Sequence, residues 1–375
     1  MSLTTVLLVT ALSVSSLNIA SKVNAAESRT RWDKQTDVAW QSYCKGDFSK
    51  SADASKKAFL QTQKPNQKAI SLCNMASIEA QGGRYAQAEL LYLEAQGIFE
   101  QVMEKDHPYY QVLLNDLGVL YFNKAEYERA QFYFDQLKDE DQNPQTATIL
   151  NNLGSLNFKK GDLEKAQKNY EKALAILKGK TAKTLLQARL LNNLGVVHAH
   201  KNNLDLAFDC YKQALEIRQA KLGIESNHPD LASSLHNLAR LYTWQNKTDL
   251  AEEYFMQALQ KRINTFGQEH PEIAATLHGL GELSLSKSDQ KQAMLYYNKA
   301  LAMRIKTLGA YHPDSAASYC GLAQALEADN QITEARQAYS RAIEIQEKTL
   351  CQNHPDLLKS KLSLLRLDSL TACKS

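Results

Sequence analysis

The dipeptide His-Pro recurs at His228-Pro229, His270-Pro271, His312-Pro313 and His354-Pro355, each 42 residues after the last, and a fifth stands at His107-Pro108. A fixed period of this length constrains the fold more than any other property, because each unit must then be one supersecondary structure leaning on its copies. In the unit opening at Pro271, Ile273, Leu277, Leu280 and Leu283 recur at helical spacing before Ser286-Lys287-Ser288-Asp289 interrupts them. Ala293, Tyr297, Ala300, Leu301, Ile305 and Leu308 then form a second stripe, which Gly309 closes as a helix C′ residue. Each period therefore predicts a pair of packed helices. Pro65 and Pro144 also precede apolar-periodic segments, and none of the seven prolines interrupts one.

One small residue in each first helix sets the register: Ala76, Gly118, Gly154, Gly195, Ala239, Gly281 and Ala323. Twelve positions on, every unit has Ala (Ala88, Ala130, Ala166, Ala207, Ala251, Ala293, Ala335). Sixteen on, every unit has an aromatic ring: Tyr92, Phe134, Tyr170, Tyr211, Phe255, Tyr297, Tyr339. Nineteen on stands Ala again, with Leu137 the sole departure. Small residues let paired helices approach, and one ring fills the space between them.

This pattern resembles the tetratricopeptide repeat (TPR), and the 42-residue period with His-Pro-Asp/Glu resembles its kinesin light chain type. The strings Leu150-Asn151-Asn152-Leu153-Gly154, Leu191-Asn192-Asn193-Leu194-Gly195 and Tyr297-Asn298-Lys299-Ala300-Leu301 carry the likeness, which covers roughly residues 66 to 365. Units starting near 108 and 145 are shorter, at about 36 to 41 residues, and two extra residues before His228 lengthen one step to 44. The resemblance implies an all-α, right-handed superhelical solenoid of about eight antiparallel hairpins with a concave groove. Residues 65–355 make seven repeats. Residues 26–64 read as a degenerate capping repeat, in which Ser51, Ser55 and Ala58 take the Ala, aromatic and Ala positions; residues 356–375 read as a capping helix and tail.

Residues 1–25 read as a secretory signal peptide: no charged side chain from Met1 to Ser21, an apolar stretch from Val6 to Ala20, and small residues at Val23 and Ala25 before a cut near Ala25. Export to the periplasm or the medium follows, and no later stretch suits membrane insertion. A formal charge of +3, from 44 Lys and Arg against 41 Asp and Glu, leaves no electrostatic footprint for nucleic acid. No nucleophile elbow, phosphate-cradling loop or zinc-helix motif is present, and repeat packing occupies nearly every residue from 66 to 365, so neither catalysis nor a cofactor is expected. Equivalent histidines of stacked units, about 10 Å apart, cannot share a metal ion; Pro at N1 and an acid after it instead mark helix starts. The six cysteines fall mostly where small buried hydrophobes would.

The resemblance further implies that first helices line the groove, where Asn rows hydrogen-bond the backbone of an extended peptide. Two positions before the small residue stand Asn74, Asp116, Asn152, Asn193 and Asn237; three before it stand Asn115, Asn151, Asn192, His236 and His278. An amide offers donor and acceptor together, and it suits a peptide group or a neighbouring helix equally. The candidate peptide-binding residues are Asn115, Asn151, Asn152, Asn192, Asn193, His236 and Asn237, with Lys159, Arg189 and Arg240 bordering the groove beside His200 and Trp244. Their positive charge would favour acidic residues in the guest. The lysine and asparagine offsets of a chaperone-binding carboxylate clamp are not found. The expected function is an exported, non-catalytic scaffold holding a protein or peptide segment. The alternatives are a self-assembling structural element or an accessory subunit of an exported enzyme complex.

Overall fold

The computed structural model describes residues 30–104, 107–137, 144–178 and 183–372; the signal-peptide reading lies outside them. Among the described residues there are seventeen α-helices and no strand: α1 (Arg31–Cys44), α2 (Phe48–Phe59), α3 (Pro65–Gln81), α4 (Tyr85–Val102), α5 (Pro108–Asn123), α6 (Tyr127–Phe134), α7 (Pro144–Lys159), α8 (Leu163–Leu177), α9 (Leu185–His200), α10 (Leu204–Leu222), α11 (Pro229–Trp244), α12 (Thr248–Phe266), α13 (Pro271–Ser286), α14 (Gln290–Leu308), α15 (Pro313–Ala328), α16 (Ile332–Thr349) and α17 (Pro355–Ala372). They fall into two compact units whose boundary lies within α7, after Leu156. In each unit, hairpins pack against the next hairpin in sequence, and successive first helices also touch one another in a row.

Local chemistry sets these boundaries. At all five His-Pro sites the histidine is the N-cap, its Nδ1 accepting the amide two residues on, and proline takes the first helical turn where its missing N–H costs nothing. Between the two helices of each of the eight hairpins, one residue adopts positive φ: Gly46, Gly83, Ala125, Gly161, Asn202, Asn246, Ser288 and Asn330, all between 58° and 86°. Gly and Asn dominate because they tolerate the left-handed region best. No helix is long and apolar enough to cross a membrane among the described residues.

The packing follows the aligned small residues. The Ala row and the rings are buried throughout, with Tyr170, Phe255 and Tyr297 at 0% exposure. Each such ring contributes about 1.5–3 kcal/mol by leaving water. The glycines are required by the rings: a Cβ on Gly195 would lie 2.7 Å from Tyr211 Cε1, one on Gly281 would lie 2.8 Å from Tyr297 Cε1, and one on Gly118 would strike Phe134. Where the other second helices have Ala at their closest crossing, α6 would have Leu137, and this helix ends at Phe134 before reaching it.

In the unit containing residues 157–372, three buried arginines join neighbouring hairpins. Arg218 Nη1 donates to Ser234 Oγ at 2.5 Å, Arg262 Nη1 to the Glu272 carbonyl at 2.8 Å and to Thr276 Oγ1, and Arg304 Nη1 to the Asp314 carbonyl at 2.8 Å and Ser318 Oγ at 2.7 Å. Arg262 also pairs with the Glu272 carboxylate at 2.7 Å. Each arginine lies on a second helix and reaches the next first helix. The His-Pro-acid motif thus starts a helix and receives its neighbour's guanidinium.

Candidate functional site

Nine of the ten candidate residues are at most 6% exposed, and the tenth, Lys159, has a side chain 20% exposed. In the unit containing residues 30–156, Asn152 Nδ2 donates to Asn115 Oδ1 at 2.8 Å, and Asn151 Nδ2 to Asn152 Oδ1 at 3.2 Å. In the other unit Asn237 Nδ2 donates to Asn192 Oδ1 at 3.0 Å, and Arg218 reaches the same oxygen at 3.5 Å. One amide of the pair in one helix therefore pairs with the other amide of the preceding helix. Of the two partners an Asn in this row suits, the described state uses the neighbouring helix at Asn115, Asn152, Asn192 and Asn237.

The row changes character where the sequence does. His236 stands edge-on to Phe255 with ring centroids 5.4 Å apart, and His278 to Tyr297 at 5.0 Å. Facing them on the next helices are glycines: a Cβ on Gly279 would lie 2.5 Å from Phe255 and 3.4 Å from His236, and one on Gly321 would strike Tyr297. Small faces large here, as amide faces amide elsewhere. Burial and the surrounding arginines push both histidines well below the ordinary imidazole range, so they pack as neutral rings. In the N-terminal unit the equivalent pair is Cys73 and Asp116. The Asp116 carboxyl is buried, accepts from Asn115 Nδ2 at 3.3 Å, and is pushed up to about 8 by desolvation.

The charged members sit along the same row in the C-terminal unit. Arg189 pairs with Asp230 at 3.2 Å, both nearly fully buried. Arg240 donates from Nε to Glu282 at 3.2 Å, and its guanidinium carbon lies 5.0 Å from the centre of the Trp244 ring. Its Nη2 is buried and makes no hydrogen bond among the described residues. Lys159 Nζ lies 3.8 Å from Asp314, whose carboxyl is held below its ordinary range: burial pushes it up, but Lys159, His312 and Arg304 outweigh that. His200 packs edge-on against Phe158, and burial, reinforced by Arg240 and Lys159, lowers it to about 3. No group of three or more metal-ligating side chains occurs among the described residues.

Two features went unread in the sequence. The buried arginines carry a signal: Arg218, Arg262 and Arg304 each lie 23 positions after the small residue, and Ser234, Thr276 and Ser318 each lie five before the next. The pairing of His with Gly across helices carries one too, since Gly279 and Gly321 follow His236 and His278 by 43 residues, one more than the period.

The tetratricopeptide repeat profile matches residues 67–139, 136–179, 145–220, 186–262, 230–306 and 296–348. No curated protein matches the chain in sequence. Among solved structures, a Rap protein complexed with Competence and Sporulation Factor is similar in fold, with TM-score 0.59, 17% identity, and coverage of 82% of this chain and 87% of that one. BtubC (BKLC) from P. vanneervenii is 23% identical over 63% of this chain and 91% of its own, with TM-score 0.44. A Podosopora anserina protein described as a kinesin light chain with nearly identical TPR-like repeats is 26% identical over 55% of this chain and 97% of its own, with TM-score 0.41. With the profile spanning residues 67 to 348, and the hairpin, ring and small-residue positions recurring in every matched segment, the chain belongs to the tetratricopeptide repeat family.

Proposed function

We propose that this chain is an exported, non-catalytic scaffold that holds an extended, acidic segment of a partner protein along the row of first helices in residues 157–372. The family's typical role is non-catalytic protein interaction, which is the general part of this reading. The specific part rests on Arg240, a cation with a side chain 4% exposed whose Nη2 donor is unused while Nε and the ring of Trp244 hold the guanidinium in place. The guanidinium is fixed at Nε, and its buried Nη2, without a hydrogen-bond partner among the described residues, suits a carboxylate of a guest that reaches it. The Rap protein of similar fold was solved in complex with Competence and Sporulation Factor, so this fold can serve as a binding partner. Export rests on the Val6–Ala20 stretch and the Val23-Asn24-Ala25 tripeptide, and N-terminal sequencing of the mature chain tests it.

An array of decapeptides graded in Asp and Glu content, probed with the full chain and with Arg240→Gln, tests the groove. Acid-containing sequences should bind the parent and lose about ten-fold or more in affinity in the variant, the scale of one charge-assisted pair. Equal retention by both would refute the assignment.

A second reading, self-assembly, has its footing in α17, whose Leu358, Leu362 and Leu365 are 46%, 67% and 64% exposed. Light scattering across dilution separates the two: mass rising with concentration, abolished by Leu362→Glu, would favour assembly.

A further inference from the structure

Across 195 residues of sequence, the turn after α7 touches the start of α17. His354 spends Nδ1 on the Asp356 amide at 3.2 Å, so its proton sits on Nε2, which donates to the Lys159 carbonyl at 3.2 Å. Two residues on, Gly161 backs onto the same helix start: a Cβ there would lie 3.2 Å from Pro355 Cδ and 3.5 Å from His354 Cδ2. Lys159 reaches the other way, with Nζ 3.8 Å from Asp314 at the start of α15. The other His-Pro histidines cap their own helices in the same manner, but this one also bonds a hairpin five units away in the chain. Both sides of the seam belong to one compact unit.

We propose that the Lys159–Gly161 turn and the start of α17 form an intramolecular latch that closes the row of first helices on itself, so that a guest segment enters only when this seam parts. The gating role rests on the reading of the row as a holding surface; the seam does not. It is small beside the hairpin contacts, resting on the His354–Lys159 hydrogen bond and the approach of Gly161 to Pro355, so it opens without unfolding either side. A latch of this kind lowers apparent affinity by the fraction of molecules closed.

The test uses Gly161→Asn in the full chain. Asn occupies the same left-handed turn position at residues 202, 246 and 330, so the substitution suits the hairpin while its Cβ, 3.2 Å from Pro355 Cδ, obliges the seam to give by a few tenths of an ångström. Hydrogen exchange read by mass spectrometry should accelerate several-fold in residues 157–163 and 354–362 and stay unchanged in 248–266. Adding Pro355→Ala, which removes the struck atoms, should restore slow exchange. A fluorescein-labelled decapeptide alternating Glu and Ala should bind Gly161→Asn about ten-fold tighter than the parent if closed molecules outnumber open ones by that factor. Unchanged exchange in Gly161→Asn, or acceleration that Pro355→Ala does not reverse, would overturn the latch. Accelerated exchange with unchanged peptide affinity would overturn its role as a gate. No peptide binding by any variant, with the exchange pattern as expected, would remove the holding-surface reading and leave the seam established.

Discussion

Asp116 stands where the equivalent helices of four other units carry Asn, and it is 1% exposed with its Oδ2 making no hydrogen bond among the described residues. Desolvation pushes its carboxyl up from 3.8 to about 8 in the folded chain, against a small opposing effect of the Asn115 amide. The direction of the resulting pH dependence follows. Between about pH 4 and pH 8 the unfolded chain releases this proton while the folded chain keeps it, so stability falls as pH rises through that window and levels off above it. Each unit of pH costs about 1.4 kcal/mol, so the loss accumulated by pH 7 is on the order of 4 kcal/mol. Asp116→Asn keeps the shape of the protonated group, with an acceptor oxygen and an NH2 donor in place of the O–H, and cannot ionise. The variant should match the parent near pH 4 and exceed it progressively up to pH 8. Urea unfolding in a Trp244→Phe background, followed through the fluorescence of Trp32 and Trp40 on α1, reads the unit that holds Asp116. A difference between variant and parent that is flat from pH 4 to pH 8 would refute the assignment of a proton to Asp116.

Two further outcomes follow from the packing. Gly279→Asn restores the residue found at this position in other units but drives a Cβ to 2.5 Å from Phe255, so overpacking should cost about 1–3 kcal/mol in thermal or urea unfolding; combining it with Phe255→Leu should recover part of the loss. Arg262→Met leaves Glu272 buried without its partner and removes the donor to Thr276, so it should destabilise by about 3–5 kcal/mol, whereas Lys299→Met on the exposed face of α14 should cost under 1 kcal/mol.

Most of the fold was legible because its determinants are local and periodic. The proline at N1, the small residue, the ring sixteen positions on and the residue at the hairpin turn each act within one unit and recur in the next, so alignment alone exposes them. The groove was harder. That Asn115 would spend its oxygen on Asn152, rather than on a guest, depends on the rise from one hairpin to the next, and an amide reads the same in either role. Burial of Arg189 and Arg240 is likewise a long-range outcome: charge in a first helix reads as a solvated face until Asp230 and Glu282 are seen to arrive from the following helices. The contact between His354 and Lys159 had no sequence signal, because the histidine already has a complete explanation as a cap.

The alternation of amide against amide and imidazole against glycine gives the chain a fixed grammar. Although each hairpin is built to the same plan, its two faces are cut differently. The unit ending in Phe266 accepts only a successor with a bare backbone at the joint, and the one ending in Leu222 requires a successor that can offer an amide. Hairpins transplanted within the array would meet strangers. Their sequence order is therefore written into every joint, and a mispaired neighbour during folding leaves either a steric collision or an unanswered polar atom to mark the error.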